Sequence, residues 1–230
     1  MMTILRFMRR VLKVIFGKDF FEKLDLQITN RKFGMDCSWV LATDLLNKES
    51  IVYSFGIGKE ISFDLAIIEE FGLSVNAFDP TPNSIEWIKS LTLPSTFILH
   101  VYGLADFNGE VTFFPPENPE FISHSIIEKT KTKDKAIKVH VKKLKTIMQE
   151  LGHSHIDILK MDIEGAEYDV IEDIRLSNIR PKQLLVEFHH RFPNIGISKS
   201  KQAISNLRKM GYQLFSISTS GEEFSFIFKE

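Results

Sequence analysis

Three carboxylates follow directly on an apolar run in the segment LKMDIEGAEYDVI, Leu159 to Ile171. Asp162 ends the apolar run, and Glu164 and Glu167 flank Gly165 where the pattern becomes helical. Carboxylates at the start of a helix can simply complement the helix dipole. At the carboxyl end of a parallel strand, however, they lie where ligands bind in α/β sheets. The segment therefore predicts a ligand site built from titratable groups.

The next apolar segment, VEFHHRF, also ends in titratable side chains. A strand is predicted over 183–188, and Glu187, His189 and His190 fall at its end. Ligand-binding groups in such folds gather at the carboxyl ends of the strands. We therefore expect these side chains at the same edge of the sheet as Asp162.

A second ligand-binding pattern lies upstream, where an apolar run ending at Phe55 is followed by Gly56, Gly58 and a helical pattern. Glycines let the backbone approach a ligand closely, and a helix N-terminus offers free N–H groups. Asp79 comes 21 residues after Gly58, at the end of the next predicted strand, where a carboxylate can accept both hydroxyls of a ribose. The combination predicts an adenosine-containing cofactor. Ile61 replaces the third glycine of the GxGxxG motif, which disfavours a diphosphate.

From Ser50 onward, short apolar strands alternate with helical segments, which predicts an α/β domain with a mostly parallel sheet. The closing strands, Tyr212 to Ile217 and Glu223 to Phe228, are predicted to form an antiparallel hairpin. The alternation of strands and helices is interrupted over 103–135, which is predicted to be a partly irregular insertion with a functional or mobile character. The alternation is predicted to continue with a strand over 136–141.

Residues 1–49 are predicted to be an N-terminal helical segment, separate from the domain over 50–230. The first acidic residue is Asp19, and the preceding residues separate into two helical stripes. The basic stripe contains Arg6, Arg9, Arg10 and Lys13, and the apolar stripe contains Leu5, Met8, Leu12 and Ile15. Two interpretations stay open. Residues 1–18 lie on an anionic membrane surface, or the helix docks its apolar face on the domain.

Composition excludes several classes of protein. With 230 residues, 43% of them hydrophobic, the chain can bury a substantial core, and no run approaches the ~18–20 apolar residues of a transmembrane helix. The 29 basic and 30 acidic residues create no global field for nucleic acid, and the lysine-rich stretch over 129–145 lacks interleaved aromatic residues. Cys37 is the single cysteine, which excludes a disulfide framework and fits a reducing, cytoplasmic location.

Five segments, in order, resemble the FkbM family of S-adenosylmethionine-dependent methyltransferases across about Ser50 to Phe192. They are VYSFGIGKEISFD, FDPTPNSIEWI, GLADFNGEVTFF, LKMDIEGAEYDVI and LLVEFHHRF. The DxEGxE element is the most specific part of this resemblance. The resemblance implies a class I (Rossmann-like) fold, with a seven-stranded mostly parallel sheet and an antiparallel last strand. It implies S-adenosyl-L-methionine as cofactor and, because family members mostly methylate hydroxyl oxygens, a small-molecule or glycan acceptor.

Carried onto this sequence, the resemblance implies eight cofactor-binding residues. These are Gly56 and Gly58 at the methionine moiety, Asp79 at the ribose, Leu104, Ala105 and Asp106 near the adenine, Asp162 near the sulfonium, and Phe55, which precedes the glycines. One position departs from the pattern of many methyltransferases. Ser54 stands where they carry an acid, and Glu60 is the candidate to compensate for it.

Methylation of an alcohol also requires a base that removes the hydroxyl proton. The candidates are His189, Asp162 and Glu164, and His189 is the first choice because an imidazole titrates near neutrality without assistance. Glu164 is also a candidate for orienting the acceptor. In a metal-assisted alternative, Asp162, Glu187 and His189 form a magnesium-type site.

Two further functions stay open at this point. A nicotinamide-dependent oxidoreductase would use the same strand, glycine and aspartate pattern, although the third glycine and a Tyr-x-x-x-Lys pair are missing. A catalytically inactive cofactor-binding scaffold of the same fold would also fit these motifs.

Overall fold

The computed structural model describes residues 2–35, 39–113 and 136–229. Their strands are β1 Arg31–Phe33, β2 Trp39–Leu41, β3 Val52–Phe55, β4 Val75–Phe78, β5 Phe97–His100, β6 Gly103–Leu104, β7 Gly109–Phe113, β8 Ile137–Lys142, β9 Ile158–Met161, β10 Gln183–Glu187, β11 Tyr212–Ile217 and β12 Glu223–Phe228. The helices are α1 Met2–Ile15, α2 Ser62–Phe71, α3 Pro82–Lys89, α4 Leu144–Leu151, α5 Glu167–Leu176 and α6 Gly196–Lys209. A 3₁₀ turn spans Thr43–Leu45.

The central sheet has seven strands in the order β11-β12-β10-β9-β3-β4-β5. β12 runs antiparallel to both of its neighbours, and every other adjacent pair runs parallel. The predicted class I fold with an antiparallel last strand is therefore confirmed. β3, β4 and β9 are buried at every position, as expected for parallel strands with helices on both faces.

Side chains alternate across the central sheet and build a hydrophobic core on each face. On β3, Val52 packs in the core that contains Ile67 of α2, whereas Tyr53 packs in the core that contains Ile171 of α5. The two cores hold the strands in fixed register. Because of this packing, the loops at the carboxyl ends of the strands have defined positions.

The chain order of the strands reverses between β3 and β9. From β3 the chain continues outward through β4 and β5, whereas β9 lies on the other side of β3 and continues to β10. Phe55 and Met161 are register partners at the ends of β3 and β9, and the backbone N–H of Asp162 donates to the carbonyl of Phe55 at 3.2 Å. Ligands in open α/β sheets bind in the crevice at such a reversal.

A smaller sheet, in the order β6-β8-β7, flanks this crevice. The strand predicted over 136–141 forms as β8, but it belongs to this smaller sheet and not to the central one. In β8, apolar Ile137, Val139 and Val141 alternate with charged or polar residues. This alternation is typical of a strand with one buried face, unlike the fully buried β3 and β9. Residues 114–135, most of the predicted insertion, lie outside the described residues.

The N-terminal segment contains the predicted helix α1, together with an antiparallel β1–β2 pair that the sequence analysis did not predict. Phe33, Trp39 and Leu41 from this pair are buried in the same core as Val52. Residues before 50 thus contribute to the hydrophobic core. Cys37 lies outside the described residues. None of the helices in the described ranges has the length and hydropathy that crossing a bilayer would require.

Candidate active site

A cavity of about 580 Å³ opens at the carboxyl ends of β3, β4 and β9. The eight residues predicted to bind the cofactor all line it, namely Phe55, Gly56, Gly58, Asp79, Leu104, Ala105, Asp106 and Asp162. Its volume is in the range of pockets that hold small organic ligands. Glu164 lines this cavity as well, whereas His189 lies outside its lining.

Gly56 brings the ends of β3 and β9 together at this cavity. Its φ of +74° lies in the left-handed region, and a Cβ at this position would be 1.6 Å from the carbonyl oxygen of Asp162. Only a glycine permits such a close approach. Gly58 also has a positive φ, +52°, but a Cβ there would meet no atom within 4 Å. The packing of β3 against β9 therefore requires a glycine at position 56, whereas position 58 has room for a larger residue or a ligand.

The Asp79 carboxylate fixes the glycine loop to the end of β4. Its Oδ2 accepts a hydrogen bond from the backbone N–H of Gly58 at 2.9 Å. Its Oδ1 accepts from the backbone N–H of Thr81 at 2.8 Å and from Thr81 Oγ1 at 2.6 Å. Since an ionised carboxylate can accept about four hydrogen bonds, Asp79 retains capacity for a ligand hydroxyl.

Lys160 of β9 also lines the cavity, and the sequence analysis did not single it out. This buried ammonium donates to the carbonyls of Phe55 at 3.3 Å and Gly56 at 3.4 Å, and Nζ lies 5.1 Å from the ring centroid of Trp39. The available signal was a lysine within the otherwise apolar strand ILKM. The cavity therefore has a positively charged donor beside its glycine loop.

Two acids lie near the position of the acid missing at Ser54, namely the predicted Glu60 and Asp64 of α2. Ser54 is fully buried and pairs in register with Lys160. Asp64 supplies a buried carboxyl near Lys160, and burial raises its pKa to about 6 although the Lys160 charge acts against this rise. Glu60 lines the cavity, but its Oε1 accepts from the backbone N–H of Ser62 at 2.7 Å, at the start of α2.

The smaller sheet supplies an apolar wall to the cavity. Leu104 and Ala105 are buried, Asp106 is exposed, and all three line the cavity with Val111 and Phe113. The backbone N–H of Ala105 donates to the carbonyl of Lys142, which follows Val141 on β8, and this fixes the wall. A wall of this kind suits a flat, largely apolar ring.

Glu167 is the centre of the polar cluster next to the cavity. Its Oε1 lies 2.8 Å from His189 Nδ1 and accepts from the backbone N–H groups of Ile163 and Gly165, each at 3.1 Å. Glu167 is fully buried although it is the first residue of α5. Its carboxylate therefore fixes the orientation of the His189 ring. Glu167 was predicted from the sequence as one of the ligand-site carboxylates, and its contact with His189 was not.

The other ring nitrogen of His189, Nε2, lies 3.7 Å from both Asp162 Oδ1 and Glu164 Oε2. Burial lowers the pKa of the imidazole, but the charge and hydrogen bond of Glu167, with the charges of Glu164 and Asp162, outweigh it. The net result is a pKa well above the usual 6.5. The imidazole therefore keeps its proton to a higher pH than an ordinary histidine, chiefly because of the charge and hydrogen bond of Glu167.

The carboxyl of Asp162 also interacts with that of Glu187 at the end of β10. Burial raises the pKa of both carboxyls, and the charge of Asp162 raises that of Glu187 further. A proton between the two oxygens relieves the repulsion of such a pair. Among the described residues, the group that could hold a metal ion is Asp162, Glu164 and His189. One potential ligand atom from each of them lies within 4.8 Å of the others. Glu187, which was predicted to be a ligand of this site, is not part of the group.

The loop that carries Glu164 has an unusual backbone. Glu164 has a φ of +53°, which is uncommon for a residue with a side chain, and the adjacent Gly165 has a φ of +106°. Strained conformations of this kind persist where the surrounding structure enforces them, and they cluster at functional sites. Here the Glu167 carboxylate holds the loop through Gly165, so that Glu164 is at the cavity.

Comparisons with known proteins agree with this architecture. The methyltransferase FkbM domain family matches residues 46–214. The probable methyltransferase-like protein 24 of Homo sapiens is 27% identical over 172 residues, which are 74% of this chain and 41% of that protein. The Rattus norvegicus protein of the same name is 25% identical over the same shares. The chain thus spans about two fifths of the length of these curated relatives.

Among solved structures, the methyltransferase FkbM from Methylobacillus flagellatus KT is similar with a TM-score of 0.51 and 14% sequence identity. The similarity covers 80% of this chain and 44% of that one, and it shows a shared fold. The family match itself extends over more than half of this chain and includes both the glycine loop and the His189 cluster. The chain belongs to the FkbM family of methyltransferases.

Proposed function

We propose that this protein is an S-adenosylmethionine-dependent methyltransferase that methylates a hydroxyl oxygen of a carbohydrate or a related metabolite. One observation carries the proposal. The cavity lined by Gly56 and Asp79 meets the cluster of Asp162, Glu164 and His189 at the reversal of strand order. The cofactor site and the proton acceptors that we propose would thus share one edge of the sheet.

The residues of the cavity fit this cofactor. When bound, S-adenosylmethionine supplies an electrophilic methyl group on a positively charged sulfur. Asp79 has capacity to accept from a ribose hydroxyl, and the open space at Gly58 admits the methionine moiety. Lys160 offers its ammonium to a carboxylate, and the Asp162 carboxyl provides negative potential for the sulfonium.

The polar cluster fits the deprotonation of an alcohol. His189 Nε2 faces Asp162 and Glu164, and its ring is held by Glu167 through Nδ1. We assign the proton acceptor role to Nε2, with Glu164 orienting the acceptor hydroxyl at the edge of the cavity. Because the pKa of His189 is raised, the ring must first lose its own proton, and it is then a stronger base than an ordinary imidazole.

This assignment predicts the pH dependence of kcat/KM. Activity should rise with pH through the raised pKa of His189, since only the neutral ring accepts a proton. Replacing Glu167 by glutamine removes the charge that raises this pKa, and the amide oxygen can still accept from Ile163 and Gly165. We therefore expect the rising limb of E167Q to move to lower pH in a pH–rate profile.

The matched control is Glu172→Gln, an exposed position on α5 whose carboxylate pairs with Arg175. Its rising limb should coincide with that of the wild type. A Glu167→Gln variant that loses activity with an unshifted limb would show that Glu167 has a structural role only.

Transfer of label from methyl-labelled S-adenosylmethionine to a panel of oligosaccharides, polyols and amines tests the proposal directly. Label in stable ether linkages on the hydroxylated compounds supports it, and label confined to amines contradicts it. The same assay separates the metal-assisted alternative, in which Asp162, Glu164 and His189 would hold a divalent cation. Activity that survives exhaustive EDTA treatment excludes that alternative.

A further inference from the structure

Residues 7–24 of the N-terminal segment expose seven large apolar side chains. We name this set the N-terminal patch, and it consists of Phe7, Met8, Leu12, Ile15, Phe16, Phe21 and Leu24, each between 39% and 73% exposed. Met8, Leu12 and Ile15 follow the i, i+4, i+7 spacing of one helical face, and the rings of Phe7 and Phe21 lie 6.2 Å apart. Apolar patches of this kind on soluble proteins mark interaction sites.

The orientation of α1 is the reverse of that expected for a helix that docks through its apolar face. Arg10 is buried, and its guanidinium donates to the carbonyls of Phe20 at 2.9 Å and Ser218 at 3.3 Å. It lies directly over Gly221, where a Cβ would be 2.2 Å from Arg10 Nε. The helix is thus held by a polar anchor, and its apolar face is left outside.

Asp19 completes this anchor. Its carboxylate lies 3.8 Å from Arg10 Nε and 3.3 Å from His190 Nε2, and it also pairs with Arg191. Burial would raise the pKa of Asp19, but its contact with His190 and its hydrogen bonds from Arg191 and the backbone N–H of Phe20 lower it to about 2. Rolling the helix to bury the patch would therefore break a buried ionic cluster, which is strongly unfavourable.

Residues 7–18 contribute only basic charges to the patch, and the nearby acidic Glu222, which interacts with the charge of Lys13, is paired with Arg191. Arg9, Lys13 and Lys18 border the patch, and the sequence has no acidic residue before Asp19. The acidic residues that follow, Glu22 and Asp25, are both paired with Arg208. A second copy of the chain would place these basic groups opposite their own equivalents, whereas anionic lipid headgroups would complement them.

We propose that the N-terminal patch docks on the surface of an anionic lipid bilayer. The apolar side chains of α1 and Phe21 enter the boundary between headgroups and acyl chains, and Arg9, Lys13 and Lys18 contact the anionic headgroups. Asp19 contacts His190 and Arg191, the two residues after His189. The N-terminal segment is therefore in direct contact with the residues next to the candidate base. The proposal is independent of the methyl acceptor.

Co-sedimentation of the full chain with vesicles tests this docking. We expect binding to phosphatidylcholine vesicles that contain phosphatidylserine, and little binding to phosphatidylcholine alone. The double substitution Leu12→Gln and Ile15→Gln should weaken binding about tenfold or more, because it removes two apolar contacts with the bilayer. Arg9→Gln with Lys13→Gln should weaken it by roughly fivefold per charge.

The matched control is Leu176→Gln, since Leu176 is 69% exposed on α5 and outside the patch. It should bind like the wild type, and equal thermal unfolding temperatures would verify that all variants are folded. Wild-type binding to neither kind of vesicle would overturn the proposal. A dimer in light scattering that Leu12→Gln with Ile15→Gln dissociates would also overturn it, in favour of a second copy as the occupant.

Discussion

Replacing His189 by alanine is expected to lower kcat/KM for methyl transfer by about 10²–10⁴-fold, the usual contribution of a positioned proton acceptor. Nε2 is the ring nitrogen that faces Asp162 and Glu164, and alanine removes it without adding a side chain that could clash. His189 does not line the cavity to which we assign the cofactor, so the Kd for S-adenosylhomocysteine should stay near the wild-type value. Steady-state kinetics and calorimetric titration measure the two quantities on the same preparations.

His155→Ala is the matched control, because His155 is about half exposed and precedes the amino end of β9, opposite the site. This variant should retain wild-type kinetics. Near-wild-type turnover of His189→Ala with saturating substrate would contradict the assignment. If Glu164→Gln then lost activity, the role of proton acceptor would pass to Glu164.

The second large effect is expected from the first glycine of the loop. In Gly56→Ala the new methyl group would overlap the Asp162 carbonyl, so the ends of β3 and β9 must separate. We expect a loss of about 3 kcal/mol or more in the free energy of unfolding, since strain and a lost hydrogen bond add. Cofactor binding should disappear with it, because both strand ends line the cavity.

Gly58→Ala provides the comparison within the same loop. It has a similar positive φ but open space around the added Cβ, so only about 1–2 kcal/mol of backbone strain is expected. Urea unfolding measures both variants. Equal losses for Gly56→Ala and Gly58→Ala would show that the close approach to Asp162 does not control the stability of this site.

Much of this fold could be predicted from local patterns. The strand that ends at Phe55, the two glycines, the next strand and Asp79 follow one another within a short stretch, and parallel topology brings their ends together. The antiparallel hairpin of the last two strands could also be predicted, because residues 218–221 have a sequence typical of a turn. β1 and β2 escaped prediction because each has only three residues, too few to show a periodicity.

The roles of single charged residues were less predictable, because they depend on partners that are distant in sequence. Glu167 has the position of an ordinary helix-start acid, and its contact with His189 spans 22 residues of chain. Helical periodicity assigned Arg10 to the basic stripe of α1, yet Arg10 is buried, in contact with the carbonyl of Ser218 and with Asp19. Likewise, the sequence around Lys160 predicts only a buried strand, and it does not indicate that the Lys160 side chain lines the cavity.

The central claim is that the cavity at the ends of β3, β4 and β9 binds S-adenosylmethionine. Calorimetric titration with S-adenosylhomocysteine, with NAD as the comparison ligand, tests it most directly on the wild type and on Asp79→Asn. We predict micromolar binding of S-adenosylhomocysteine and none of NAD. Asparagine keeps the shape of Asp79 but loses its charge and one acceptor, so binding should weaken strongly in the folded variant. Absence of S-adenosylhomocysteine binding to the wild type, or a preference for NAD, would contradict the account.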